Sequence, residues 1–224
     1  MNHYLKLLSS VVLVGGISAV AAESAKPFSN FYVGVGTGYS MMNAISRTDI
    51  PVRAGGNIIG VTTSKKSLHS HGVTGKIFAG YEILSRSNLY GALEGYVLLD
   101  HQKATYEANA IGVIPYSEKF SRQFAGGLRA KLGGSLNDTV VLYGLVGAEV
   151  SRFSLKGNLS GKQSLWAVTP GIGANFVLSE KTKLILEITR SCYKAFKKAD
   201  SAASSSTRIK PAVNMVSVGI ALTI

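Results

Sequence analysis

Cysteine is nearly absent. The 224-residue chain has one, Cys192, which excludes a disulfide framework. Charge is scarce as well: 16% of residues are charged, against roughly 25% in ordinary soluble domains. Acids are the scarcer sign, 12 against 24 Lys and Arg, giving a formal charge of +12. Low charge does not mean disorder here, because 46% of residues are hydrophobic. Past the N-terminal segment there is no uninterrupted run of 18 apolar residues, which excludes a second spanning helix. Helical periodicity is weak too. Glycine is the residue in excess, with 25 copies. It follows no strict third-residue period, so the chain is not collagen-like.

The first 22 residues read as a cleavable signal peptide. Lys6 gives a positive start, Leu7 to Val20 form the apolar run, and Ala19-Val20-Ala21-Ala22 supply small residues for cleavage. The alternative, a retained anchor helix, is short of the roughly 20 residues a span requires. Residues 23–224 then form one exported domain, since no linker or composition shift divides them.

What fills that domain is alternation with period two, the mark of strands with unlike faces. Eight segments show it: Phe31–Ser40, Gly72–Ile83, Leu89–Leu99, Ser121–Leu132, Thr139–Phe153, Leu165–Leu178, Lys183–Tyr193 and Ala212–Ile224. Residues 84–88, 133–138 and 179–182 read as tight turns. Residues 41–71, 100–119, 153–164 and 194–211 read as long polar loops. Short and long connections alternate, so the strands run up and down, with both termini at the short end.

One face of these segments carries no charge in its middle. The other carries Lys76, Glu82, Glu94, Arg129, Lys131, Glu149 and Glu187 among many glycines and alanines. A solvated face would be dense in long charged side chains. A closed eight-stranded barrel explains the pattern better: its narrow interior demands small residues beside a few large ones, and its charges pair inside. The apolar face then meets lipid. The expected architecture is an all-β, eight-stranded antiparallel up-and-down transmembrane barrel. Phe31, Tyr39, Tyr81, Phe120, Phe124, Trp166, Phe176 and Tyr193, near strand ends, are expected at the membrane interfaces. Gln123 is placed on the inner face with Ala125. Pro170 interrupts the sixth segment, where a bulge or local break is expected.

These residues resemble the eight-stranded outer-membrane barrels of Gram-negative bacteria, of the OmpX, OmpA-barrel and opacity-protein type, including surface antigens of obligate intracellular bacteria. FYVGVGTGYS (31–40), GKIFAGYEI (75–83), LYGALEGYVLL (89–99), LYGLVGAEV (142–150) and PGIGANFVLSEKTKL (170–184) are similar to that family's successive strands. The terminal SVGIALTI resembles its barrel-assembly signal, with Ser217, Gly219, Leu222 and Ile224 in the signal positions. Ile224 stands where the family has an aromatic, usually Phe. The resemblance implies an outer-membrane location, with loops extracellular and turns and termini periplasmic. It implies outer-membrane lipid, lipopolysaccharide and the barrel-assembly machinery as partners.

Candidate chemistry is sparse. Gly34-x-Gly36-x-Gly38 lies inside a strand and lacks a following Lys-Ser/Thr, so interior packing explains it better than a phosphate loop. His69 and His71, with His101 further on, lack the carboxylate or thiol of an ordered metal site. Ser70 between those histidines, with Glu107 in the next loop, is a weak hydrolase triad. No catalytic residue, metal or cofactor is assigned. The inner charges read either as a paired plug or as the lining of a narrow pore. The expected loops carry the basic surplus: Arg47, Arg53, Lys65, Lys66, Lys156, Lys162, Lys194, Lys197, Lys198, Arg208 and Lys210. They would attract polyanions such as lipid A phosphates or sulfated host glycans, with host surface proteins as further candidates. Nucleic acid is a poor partner for an exported chain without a binding motif. The expectation is a structural or adhesin-type surface protein. A narrow porin is the runner-up and a lipid A-modifying enzyme the third reading.

Overall fold

A computed structural model describes residues 30–54, 57–84, 88–108, 116–156, 160–200 and 205–224. The expected signal peptide lies outside the described residues. The strands are β1 Asn30–Ala54, β2 Asn57–Leu84, β3 Leu89–Ala108, β4 Tyr116–Ser135, β5 Val140–Lys156, β6 Gly161–Ser179, β7 Thr182–Tyr193, β8 Phe196–Asp200 and β9 Ser205–Thr223. Both β7 and β8 pair with β9, and only Lys194-Ala195 separates them, so they are two lengths of one stave. Eight antiparallel staves result, and β1 pairs β9 to close the barrel. Closure satisfies the backbone without an exposed sheet edge.

The apolar residues of the expected strands face outward. Val33, Val35, Ile77, Leu93, Leu128, Val146, Ile172, Ile188, Val218 and Ile220 are exposed, while their chain neighbours point into the barrel. Phe31 and Tyr81 stand exposed near the turn end of this apolar belt, and Tyr39, Phe124 and Trp166 near its far end. That is the arrangement of interfacial girdles.

Four expected features need correction. First, the segments read as loops are largely strand. β1 and β2 stay paired from Asn30↔Glu82 to Ala54↔Asn57, through what was expected to be loop 41–71. Much of 100–119, 153–164 and 194–211 is likewise paired. A spanning strand needs only about 9–11 residues, so the 25 residues of β1 and 28 of β2 rise well past a bilayer. The pairing persists because alternation persists with inverted polarity. In the lower barrel, apolar residues face out and polar ones face in. Above it, Met42, Ala44, Leu68, Ala104, Phe120, Phe153, Leu155, Phe196, Ile209 and Val213 pack together inside. Asn43, Lys103, Lys119, Arg152, Lys156, Lys197, Arg208 and Lys210 face out.

Second, Gln123 is not inside. The β4–β5 register shifts between Arg122 and Ala125, a bulge that leaves Gln123 and Phe124 both exposed and Arg122 and Ala125 both buried. Third, that shift carries Phe120 inside, fully buried, so it is no interfacial residue. Fourth, Tyr193 is buried as well, because it shares the phase of Ile185 and Glu187 on β7.

At Pro170 the β5 pairing is intact (Val146↔Pro170), while pairing to β7 lapses between Val168↔Cys192 and Gly171↔Thr189 without a register change. A missing N–H accounts for a local break of this kind. The short turns have their own chemistry. The Asn137 side-chain oxygen accepts from the Thr139 and Val140 amides at 2.9 and 2.8 Å. Asn88, at φ 48°, takes the left-handed conformation that asparagine tolerates.

Candidate functional site

The barrel interior below the apolar plug is ionic, in three storeys. Nearest the turn end, Lys183 pairs with Glu82, which accepts from the Tyr90 hydroxyl at 3.2 Å. Asn175 donates to the same hydroxyl at 3.1 Å. In the middle, Glu94 and Glu187 share three cations. Lys76 reaches Glu187 at 2.7 Å, and Lys131 reaches Glu94 at 2.5 Å and Glu187 at 3.0 Å. Arg129 bridges both acids, its Nε to Glu94 at 2.9 Å and its Nη2 to Glu187 at 2.7 Å. The Tyr32 and Tyr143 hydroxyls donate to Glu94 and Glu187 at 2.8 and 2.9 Å. In the top storey, Arg122 meets Asp100 at 3.1 Å and Glu149 at 3.0 Å, and donates to Ser151 at 3.0 Å. Glu149 accepts from Tyr96 at 2.8 Å and from Tyr193.

All seven of the inner charges singled out in sequence therefore lie buried in this lumen. Sequence reasoning missed Arg122, Asp100 and Lys183. Lys183 and Asp100 stand in the inward phase of their strands, a signal that was there to read. Arg122 lies beyond the β4 bulge, where the phase of Arg129 and Lys131 no longer applies. With these three added, the described lumen holds five buried bases and five buried acids. A balanced set satisfies the requirement that buried charge be paired. Glycines make the room: a Cβ at Gly173 would lie 2.6 Å from the Tyr143 ring, and one at Gly34 would lie 2.3 Å from the Phe78 ring.

The remaining candidates do not converge. His69 faces out and bonds Asn43 at 2.6 Å, and His71 stacks on Tyr39. Ser70 points inward and donates to the Lys103 carbonyl at 2.9 Å. Alternation thus separates the serine from both histidines. Glu107 and His101 have side chains outside the described residues. Among the described residues no His, Cys, Asp and Glu group could hold a metal. Ser217 and Gly219 face the lumen, and Leu222 and Ile224 face out. The Ile224 amide donates to the Phe31 carbonyl at 2.9 Å across the closing seam.

The outer wall separates charge by height. Among described side chains, the exposed acids are Asp138 and Glu180, both in short turns. At the other end Arg47, Lys65, Lys66, Lys156, Lys162, Lys194, Lys197, Arg208 and Lys210 are exposed, joined by Lys103, Lys119, Arg152 and Arg190. Apart from Lys194, those singled out in sequence stand on strands rather than loops. Arg53 and Lys198 lie on β1 and β8, with side chains outside the described residues.

A closed antiparallel barrel of eight staves, with an uncharged apolar belt outside and a paired ionic interior, defines a membrane β-barrel. The chain matches the family model for the outer membrane protein beta-barrel domain over residues 9–221, and it belongs to that family. No curated protein matches it. Among solved structures it is similar to the outer membrane protein OprG of Pseudomonas aeruginosa, at 9% identity and a TM-score of 0.52, covering 88% of this chain and 96% of that one. It is also similar to Neisserial surface protein A, at 15% identity and a TM-score of 0.41, covering 84% and 97%. A third is the attachment invasion locus protein Ail of Yersinia pestis, solved in complex with the heparin analogue sucrose octasulfate. There the identity is 15% and the TM-score 0.36, covering 85% and 99%. At these identities the likeness is one of fold.

Proposed function

We propose that this outer-membrane protein works through its outer surface, as a structural or adhesin-type barrel whose long, basic end is extracellular and engages polyanions. The observation that carries the reading is the massing of exposed bases at the long end, while among the described side chains the exposed acids, Asp138 and Glu180, stand in the turns. Such a field attracts polyanions and is screened by salt. The lumen supports a plug rather than a pore, since paired ions fill it below and packed aromatics above. No catalytic residue is assigned. In this reading the turns and termini are periplasmic, and Ser217, Gly219, Leu222 and Ile224 present the last strand to the assembly machinery.

Retention of the folded protein on heparin beads tests this. Binding is expected at low ionic strength and release near 1 M salt, where the Debye length falls to about 3 Å. Passage through the beads at low salt overturns the reading. In planar bilayers the protein is expected to give no stepwise single-channel current.

A further inference from the structure

The barrel wall is irregular on both sides of one stave at a single height. The β3–β4 ladder shifts between Leu99↔Phe124 and Gln102↔Arg122, and the β4–β5 ladder shifts between Arg122↔Phe153 and Ala125↔Ser151. Gln123 falls within both shifts and has a register partner in neither ladder. Bulges re-aim side chains and are over-represented beside functional sites. Here a cleft of about 160 Å³ opens in the wall. Exposed Lys103, Gln123 and Lys156 and half-buried Ser121 line it from outside, and buried Gln102 and Arg122 line it from the barrel side. Phe124, the next residue toward the turn end, belongs to the aromatic girdle, so the cleft stands just above the apolar belt.

Two features of the cleft lack a structural reason. Gln102 is fully buried, and its amide nitrogen donates to Ser40 at 2.5 Å, yet its side-chain oxygen has no hydrogen-bond partner. A buried acceptor left without a donor is costly. The second feature is charge. Lys103 and Lys156 stand on either side of β4, two strand spacings or roughly 10 Å apart. Arg122 is already held by Asp100 and Glu149, so the lysines supply the charge at the mouth.

Together these features specify a ligand. A carboxylate or sulfate suits the lysines, but a deprotonated anion has no hydrogen to give Gln102. A sugar hydroxyl has one. Drug-sized ligands occupy roughly 300–1,000 Å³, so this smaller cleft suits one ring of a glycan rather than several.

We infer that the bulge cleft at Gln102, Lys103 and Lys156 binds one acidic sugar residue, its charged group between the two lysines and a hydroxyl donating to the Gln102 side-chain oxygen. This rests on the polyanion reading above and names the part of the polyanion that is recognised rather than merely attracted.

Titration calorimetry of the folded protein in detergent tests this with four probes: methyl glucuronide, glucose 6-sulfate, methyl glucoside and inorganic sulfate. The first two are expected to bind about tenfold or more tighter than the last two. K103Q/K156Q should lose that binding, while K181Q, in a turn at the other end, keeps it. Q102L should bind methyl glucuronide no better than sulfate, because the charge is still met and the hydroxyl is not. If Q102L does not fold, Q102M replaces it. Equal binding of methyl glucoside overturns the acidic class, and equal binding of sulfate by the wild type overturns the sugar. Wild-type affinity in K103Q/K156Q overturns the site. In bilayers containing lipopolysaccharide, displacement of methyl glucuronide marks a membrane-borne saccharide as the occupant, and undiminished binding marks a soluble glycan. If heparin is retained while neither acidic sugar binds, the cleft falls and the polyanion reading stands. If nothing binds, both fall.

Discussion

Arg129 is the residue on which the most interior charge depends. It is the guanidinium shared by Glu94 and Glu187, the two acids that also take Lys76 and Lys131. Truncating one member of a buried ion network leaves its partners uncompensated, a cost of about 3–5 kcal/mol. Arg129→Ala should lower unfolding stability in detergent by that order, followed in urea by Trp166 fluorescence. Bilayer current should stay at baseline. A current with unaltered stability would make the network a pore lining. Gly173 makes a different point, one of space. A side chain there meets the Tyr143 ring, whose hydroxyl bonds Glu187. Gly173→Val should cost about 1–3 kcal/mol, as overpacking does, measured in the same titration. Both roles were partly legible in the sequence: the inner charges shared one phase, and the glycines shared it with them. Which acid met which base was not legible, because partners such as Lys76 and Glu187 lie on staves β2 and β7, far apart in sequence.

The strands show where reading by period succeeds and where it stops. Within the apolar belt each stave keeps one phase, so its faces could be assigned from spacing alone. Two things broke that reading. The β4 bulge resets the phase between Arg122 and Ala125, and a bulge leaves no fixed signature in a sequence. Above the belt the alternation changes polarity, so that Phe153 and Leu155 turn inward while Arg152 and Lys156 face out. Judged by the rule that apolar means outward, this stretch looks patternless and reads as loop. The outward phase in the belt has a direct test. Leu128 is exposed on the outer wall of β4. Leu128→Arg should destabilise the barrel by about 2–4 kcal/mol in bilayers if that wall lies near the midplane. Folding yield into phosphatidylcholine vesicles across a urea series would measure it. A neutral result would place the wall in water.

For the whole molecule, closure is the property that governs behaviour. β1 pairs β9 from Tyr32↔Thr223 to Asp49↔Ser206, so no stave leaves the sheet without breaking pairing on both sides. The unheated membrane fraction should therefore migrate differently from a boiled sample on a denaturing gel. Identical migration, with the protein recovered in the soluble fraction, would rule out a membrane barrel.

The inversion of polarity along the staves has a mechanical consequence. The wall changes from apolar to cationic within one outward position on two staves: Val150 to Arg152 on β5 and Ile188 to Arg190 on β7. Lowering the barrel by one such step would drag guanidinium groups into hydrocarbon. Raising it would expose apolar wall to water. The protein carries its own waterline, and its depth in the bilayer is restored from either direction. The apolar plug within the upper staves consequently rides above the membrane as a fixed stem. Whatever the tips of those staves meet is held at a constant height over the bilayer.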